Sequence, residues 1–266
     1  MISIPQILSV SLFEFRRSLT FGRILAFAIL SLFPPAMVLL ISQVSALTEY
    51  KPLIMFLTFI VLILALLLWA TPNVYSELES RNWLFLTSRP RGRVSLLLGK
   101  YLAAGLSSFI VCSVAITLAV IIVGMTQVRF RPDILKELAA FYPKFTIISL
   151  VACFEYAAVF SLIGVLFQRR AMVIATIYAL GFELLFAFIP ALITKFSVRY
   201  HLVGVSFAWM GWFLPGNKPP DELIEIWITD LPVWVNILVL ALIPLLVCAI
   251  AIYVIRNREY LTVEEV

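Results

Sequence analysis

Six stretches of this chain, at about 24–44, 53–70, 97–123, 145–167, 171–193 and 231–254, are almost wholly apolar. An α-helix needs about 20 such residues to cross a hydrocarbon core some 30 Å thick. Within that core every backbone polar group must be satisfied internally, which a helix achieves alone. The runs therefore predict an all-α integral membrane protein with six transmembrane helices. Only 13% of residues are charged and 63% are hydrophobic, against a charged share of about 25% in soluble domains. Six spans and their connections use up the 266 residues, leaving no room for a soluble catalytic domain of about 100.

Between and before the spans the pattern changes. Residues 1–20 are too short and too polar to cross. Their apolar positions Ile4, Ile7, Leu8, Leu12 and Phe15 keep helical spacing, with Glu14, Arg16 and Arg17 near the end. This predicts an interfacial helix. Arg16, Arg17 and Arg23 precede the first apolar run with no small-residue cleavage site close behind it, so no cleavable signal peptide is expected. Pro34 and Pro35 should kink the first span. Gly99, Ala103 and Ser107 in the third span, and Ala171, Ala175 and Ala179 in the fifth, recur at four-residue steps. Such small-residue faces let helices pack closely. Residues 127–144 read as a polar outer connection and 168–170 as a tight loop. The outer connection at 195–230 holds an apolar piece, His201 to Pro215, too short to cross; it is expected to be re-entrant or interfacial.

Six spans put both termini on one side. Arg16, Arg17, Arg23, Arg81, Arg89, Arg91, Arg93, Lys100, Arg169, Arg170, Arg256 and Arg258 fall on that side. Lys51, Arg129, Arg131, Lys136, Lys144, Lys195, Arg199 and Lys218 fall on the other. The bias predicts cytoplasmic termini in a cell (inner, or cytoplasmic) membrane. The net charge of +5 is thereby explained by membrane orientation, without nucleic acid.

The densest run of charge, Tyr75 to Tyr101, lies between the second and third spans. Ser76 and Glu79 form a capping-box pattern that predicts a helix start. Glu77 and Glu79 then sit at its positive end, and Glu77 lies one turn before Arg81. Trp83 to Leu86 give the helix a bulky apolar flank, and Pro90 ends it by disfavouring helix at Arg89. A short, stiff cytoplasmic helix over 76–90 suits another protein's groove, and reads as the coupling element of a transporter.

Chemistry of the chain's own is poorly supported. Val94, not glycine, stands five residues before Gly99, so Gly99-Lys100 is no phosphate cradle. Cys112, Cys153 and Cys248 all lie in apolar runs, and the single His201 completes no metal-ligand spacing with them. No cofactor or metal site is expected. Glu155 and Glu183 sit inside predicted spans, where charge is costly. Each either lines a translocation path or joins a proton-linked switch, or else hydrogen-bonds between helices, for example to Tyr156 or Tyr178. Arg89, Arg91 and Arg93 suit an anionic partner surface or anionic lipid heads. The aromatic residues between Phe207 and Trp227 mark the headgroup level.

Two stretches resemble the ABC-2 type transporter permeases, the six-span membrane subunits of ATP-binding-cassette exporters. SELESRNWLFLTSRPRGRVSLLLGKYLA, residues 76–103, is similar to that family's loop between spans two and three: an acidic helix, an Arg-Pro turn and a Gly-Lys-Tyr start to the third span. GFELLFAFIPALITKFSVRYHL, residues 181–202, resembles its fifth-span ending, with Glu183, Pro190 and Ser197 to His201. The resemblance implies a permease paired with an identical or similar second subunit and with two copies of a separate P-loop ATPase, which would hold ATP and Mg. It implies ATPase docking through Glu77, Glu79, Arg81, Asn82 and Trp83, with Arg89 and Pro90 ending the helix, and a structural place for Glu183. Two other classes stay open: a non-transporting membrane scaffold or accessory subunit, and an intramembrane enzyme built on Glu155 or Glu183.

Overall fold

The computed structural model describes residues 4–44, 50–73, 92–128, 132–167, 170–185, 195, 197–210 and 231–258. These residues form eight α-helices and no strand: α1 (Ile4–Ser18), α2 (Phe21–Val44), α3 (Tyr50–Trp69), α4 (Gly92–Gln127), α5 (Ile134–Leu166), α6 (Ala171–Ile177), α7 (Val198–Met210) and α8 (Val233–Asn257). A 3₁₀ turn, Thr71–Asn73, follows α3, and a π-helical segment, Tyr178–Leu185, continues α6. Five helices, α2, α3, α4, α5 and α8, are long and apolar enough to cross a membrane. The chain is a multi-pass membrane protein.

Three helices make the centre. α4 lies against α1, α2, α3 and α5, and α5 in turn carries α7 and α8. Val61, Leu62, Leu66 and Trp69 of α3 pack with Ala104, Val111 and Cys112 of α4 and Ala152, Cys153, Tyr156 and Phe160 of α5. A second cluster joins Tyr50, Ile54 and Leu57 of α3 to Ile116, Ala119 and Val123 of α4 and to Ile134, Leu138, Phe141 and Phe145 of α5. A third lies at the opposite end, where Leu96 and Leu97 meet Val165, Ala251 and Ile255. By contrast α2 and α8 leave broad apolar faces open, among them Leu25, Ile29, Leu40, Ile237, Leu245 and Ile250. Lipid tails are as apolar as these side chains, so the faces suit a bilayer.

Close approach is set by small residues. A side chain at Gly164 of α5 would meet the Thr71 carbonyl oxygen at 2.6 Å, and one at Gly105 of α4 would meet the Phe154 ring at 2.8 Å. The Thr71 hydroxyl closes the end of α3 by donating to the Leu67 carbonyl. At the same end of the bundle two arginines cap neighbouring helices. Arg258 Nη1 donates to the Leu166 carbonyl at 2.6 Å, and Arg93 Nη1 to the Arg258 carbonyl at 3.5 Å. Cations are favoured at those carbonyl ends.

The interfacial reading of the N-terminus falls on α1. Ile4, Leu8, Leu12 and Phe13 are exposed while Ser11 and Ser18 are buried. That apolar face is thus left open, and the face with Val10, Ser11 and Glu14 is turned inward, Val10 and Glu14 against α4. There Lys100 Nζ lies 3.5 Å from Glu14 Oε1.

Two boundaries differ from the sequence reading. Residues 134–144 are not a connection; they are the first three turns of α5. Hydropathy ends at Lys136, Glu137 and Lys144, but Ile134, Leu138 and Phe141 keep helical spacing into the second cluster. Outside that face Glu137 accepts from the Tyr50 hydroxyl and pairs with Lys51. The described part of the fifth run, 171–185, is helical throughout, as the seven residues of α6 and the eight of the π segment; residues 186–194 lie outside the described residues. The start of the apolar piece expected at His201 to Pro215 lies inside a helix that begins earlier, at Val198; residues 211–215 lie outside the described residues. Pro34, Pro35, Pro143 and Pro244 all lie within continuous helices.

Candidate functional site: a buried polar knot and a lone carboxylate

The two acids inside the bundle have opposite surroundings. Glu183, in the π segment, is fully buried. Its Oε2 accepts from the Tyr156 hydroxyl and the Ser197 hydroxyl, each at 2.8 Å, and from the Arg199 backbone N–H at 3.2 Å. Its Oε1 accepts from the Tyr178 hydroxyl at 2.7 Å. Tyr178 and Glu183 are five residues apart. An α-helix turns such a pair away from each other, whereas the i→i+5 pattern of a π-helix brings them to one side. The wide turn is therefore what lets both tyrosines reach one carboxylate.

Arg199 closes the knot. Its Nη1 donates to the Glu183 carbonyl at 3.2 Å, and its guanidinium stands 5.1 Å from the centre of the Phe59 ring on α3. A desolvated cation over an aromatic face is attracted by the ring quadrupole. α7 thus begins beside Tyr156, in the middle of α5. At its other end the Trp209 carbonyl accepts from Lys144 Nζ at 2.9 Å. Thirteen residues of α7 rise about 20 Å, which matches the distance along α5 from the level of Tyr156 to that of Lys144.

Two residues beyond Arg199, His201 is buried between α7 and α8. Its Nε2 donates to the Lys195 carbonyl at 2.9 Å, and its Nδ1 shares a 2.8 Å hydrogen bond with Oδ1 of Asn236, which is fully buried. The Asn236 amide nitrogen lies 3.5 Å from the Leu231 carbonyl. These bonds fasten α7 to the start of α8.

Glu155 of α5 is only 2% exposed. Its Oε2 has no hydrogen-bond partner among the described residues. The titratable groups that act on it electrostatically are Tyr101 of α4 and Cys248 of α8. Among the described residues no three of His, Cys, Asp and Glu come together as a metal site.

The small-residue faces are placed as follows. Gly99 lies under α1, where an added side chain would meet Val10 Cγ1 at 2.6 Å and the Ile7 carbonyl at 3.1 Å. Ala103 and Ser107 are buried, with the Ser107 hydroxyl donating to the Ala103 carbonyl. Ala171, Ala175 and Ala179 are buried, the last two in the central cluster. Glu77, Glu79, Arg81, Asn82, Trp83 and Arg89 lie outside the described residues.

Sequence reasoning did not reach three pairings. Asn236 stands near the start of an apolar run, the kind of signal that marks a buried polar bond, yet its partner lies 35 positions away. Lys100 reads as a loop-edge cation, but it is 4% exposed and pairs with Glu14. Cys112 and Cys153 share no motif spacing, yet packing of α4 on α5 buries both together in the central cluster. Compared with known proteins, the chain matches no protein-family model and finds no significant match among curated proteins.

Proposed function

We propose that this chain is the permease subunit of an ATP-binding-cassette transporter of the ABC-2 type, an exporter, set in the cell (cytoplasmic) membrane with both termini in the cytoplasm. The observation that carries the reading is the stretch 76–103, which resembles the family's coupling loop in its acidic helix, Arg-Pro turn and Gly-Lys-Tyr entry, and which follows one long apolar helix and runs into the next. ATP hydrolysis would belong to two copies of a separate P-loop ATPase, docked through Glu77, Glu79, Arg81, Asn82, Trp83 and Arg89. A second permease subunit would complete the path.

The packing at the end of that stretch supports the reading. Gly99 is pressed under α1, and Lys100 pairs with Glu14. A push on the loop would reach α4 and α1 together, because the two helices are in contact where the loop ends. Orientation rests on the excess of Lys and Arg on the side of the termini.

The test is a mild-detergent pull-down of the tagged chain from its own host, identified by mass spectrometry, beside Glu79→Arg. Reversing this charge opposes the positive end of the helix and disrupts the capping box. A P-loop ATPase recovered with wild type and lost with the variant is the expected result. Absence of any ATPase across several detergents would favour a non-transporting scaffold instead.

A further inference from the structure

Buried polar atoms are nearly always hydrogen-bonded, and an exception asks for a cause. This bundle is able to satisfy a buried carboxylate: Glu183 receives four donors. Glu155, equally hidden, keeps an oxygen with none among the described residues. An acid inside the membrane is expensive to hold, which makes such a residue a functional candidate.

Its neighbours form a layer. Tyr101 lies nine residues from the start of α4 at Gly92, Cys248 nine from the end of α8 at Asn257, and Glu155 eleven from the end of α5 at Leu166. At 1.5 Å per residue all three stand about 14 to 17 Å from one end of the bundle. The helix ends are held level there by the Arg258–Leu166 and Arg93–Arg258 hydrogen bonds. Tyr101 and Cys248 are half-buried, and Glu155 is almost wholly so. The Tyr101 ring packs edge-on against Phe154, the residue before Glu155. A carboxylate and a phenol are hard oxygen ligands, a set that suits a light, singly charged cation. A higher-valent metal would call for more carboxylate or imidazole ligands than the described residues gather.

We propose that Glu155, flanked by Tyr101 and Cys248 where α4, α5 and α8 meet, binds a small cation: a proton or an alkali-metal ion. With a proton, the new O–H bond forms at the carboxylate, the proton comes from bulk water, and nothing is oxidised or reduced. With an alkali-metal ion, the carboxylate oxygens replace part of its water shell. Binding neutralises the Glu155 carboxylate and so favours tight packing of the three helices; Lys100, one residue before Tyr101, keeps its own partner in Glu14. The site does not depend on an ATPase partner, and it stands or falls separately from the transporter reading.

A ligand that binds the native state stabilises it as its concentration rises. Wild type and Glu155→Gln are reconstituted in neutral-lipid nanodiscs at constant ionic strength. Thermal unfolding is followed across pH, and with choline replaced by Na⁺ or K⁺. Relative to the variant, the wild-type midpoint should rise by several degrees as pH falls if the cation is a proton. It should rise as Na⁺ or K⁺ replaces choline if it is an alkali-metal ion. Parallel behaviour of the two proteins in both series overturns the proposal. Should the glutamine variant not fold, infrared spectra of wild type and Tyr101→Phe with isotope-labelled glutamate decide it. A buried carboxyl band that moves with pH or cation in wild type, and moves differently in Tyr101→Phe, supports the site. A band that responds to neither, or identically in both proteins, overturns it.

Discussion

The Tyr156 hydroxyl lies 2.8 Å from Oε2 of Glu183, and through that contact α5 holds a π-helical turn, which in turn holds the start of α7. Three chain segments far apart in sequence converge on one carboxylate. Tyr156→Phe should therefore destabilise the protein although its ring stays in place. A hydrogen bond to a charged group contributes about 1.5–3 kcal/mol, and bonds inside membranes about 0.6 kcal/mol on average. With three donors left, a loss of about 1 kcal/mol is expected. Glu183→Ala, which removes the acceptor of both tyrosine hydroxyls, the Ser197 hydroxyl and the Arg199 backbone N–H, should lose more. Unfolding equilibria in detergent compare the two; an unchanged Tyr156→Phe protein would count against the knot as a structural centre.

Gly164 and Gly22 make a matched pair. A methyl at Gly164 would stand 2.6 Å from the Thr71 backbone oxygen, whereas at Gly22 it meets nothing within 4 Å. Backbone cannot rotate aside as a flexible side chain can. Gly164→Ala should cost about 1–3 kcal/mol through overpacking, while Gly22→Ala should be neutral or slightly stabilising. Thermal midpoints in the same detergent provide the comparison, and equal effects at the two sites would refute it.

The Lys100–Glu14 contact, 3.5 Å long with Lys100 almost wholly buried, ties α1 to α4. Removing one member of a buried pair costs about 3–5 kcal/mol in fully buried cases. Glu14 keeps some exposure, so Glu14→Gln should fall at or below the low end. Lys100→Met combined with Glu14→Gln should recover part of the loss, because the stranded charge is gone. Protease or label accessibility along α1 is the readout. No recovery in the double variant would mean that packing of Val10 over Gly99, rather than the ion pair, holds the helix.

His201 and Asn236 should be energetically coupled. A double-mutant cycle with His201→Ala and Asn236→Ala is expected to show about 0.6–1.7 kcal/mol of interaction, the range of hydrogen bonds between membrane helices. Additive effects would show that each residue is bonded independently.

Some of this was open to inspection in the chain itself. The apolar runs became five crossing helices, and the spacing of Ile4, Leu8 and Leu12 became the exposed apolar face of α1. Length and periodicity are local properties, and a helix satisfies its backbone from its own residues. Boundaries were less legible. A hydropathy window stops at Lys136 and Glu137, although one face of α5 stays buried past them, because averaging over all sides of a helix hides a single apolar stripe.

What only the tertiary structure decided is which buried charge is satisfied. Glu155 and Glu183 look alike in sequence, each an acid in an apolar run. Donors for Glu183 come from α5, from its own π-helical turn and from Ser197 and Arg199, while those nearest Glu155 leave one oxygen unpartnered. The apolar runs determined that helices form and cross, because the solvent they require is the same along their length. The fate of each polar group depended on which side chains three-dimensional packing placed within about 3 Å of it, and no local pattern encodes that distance.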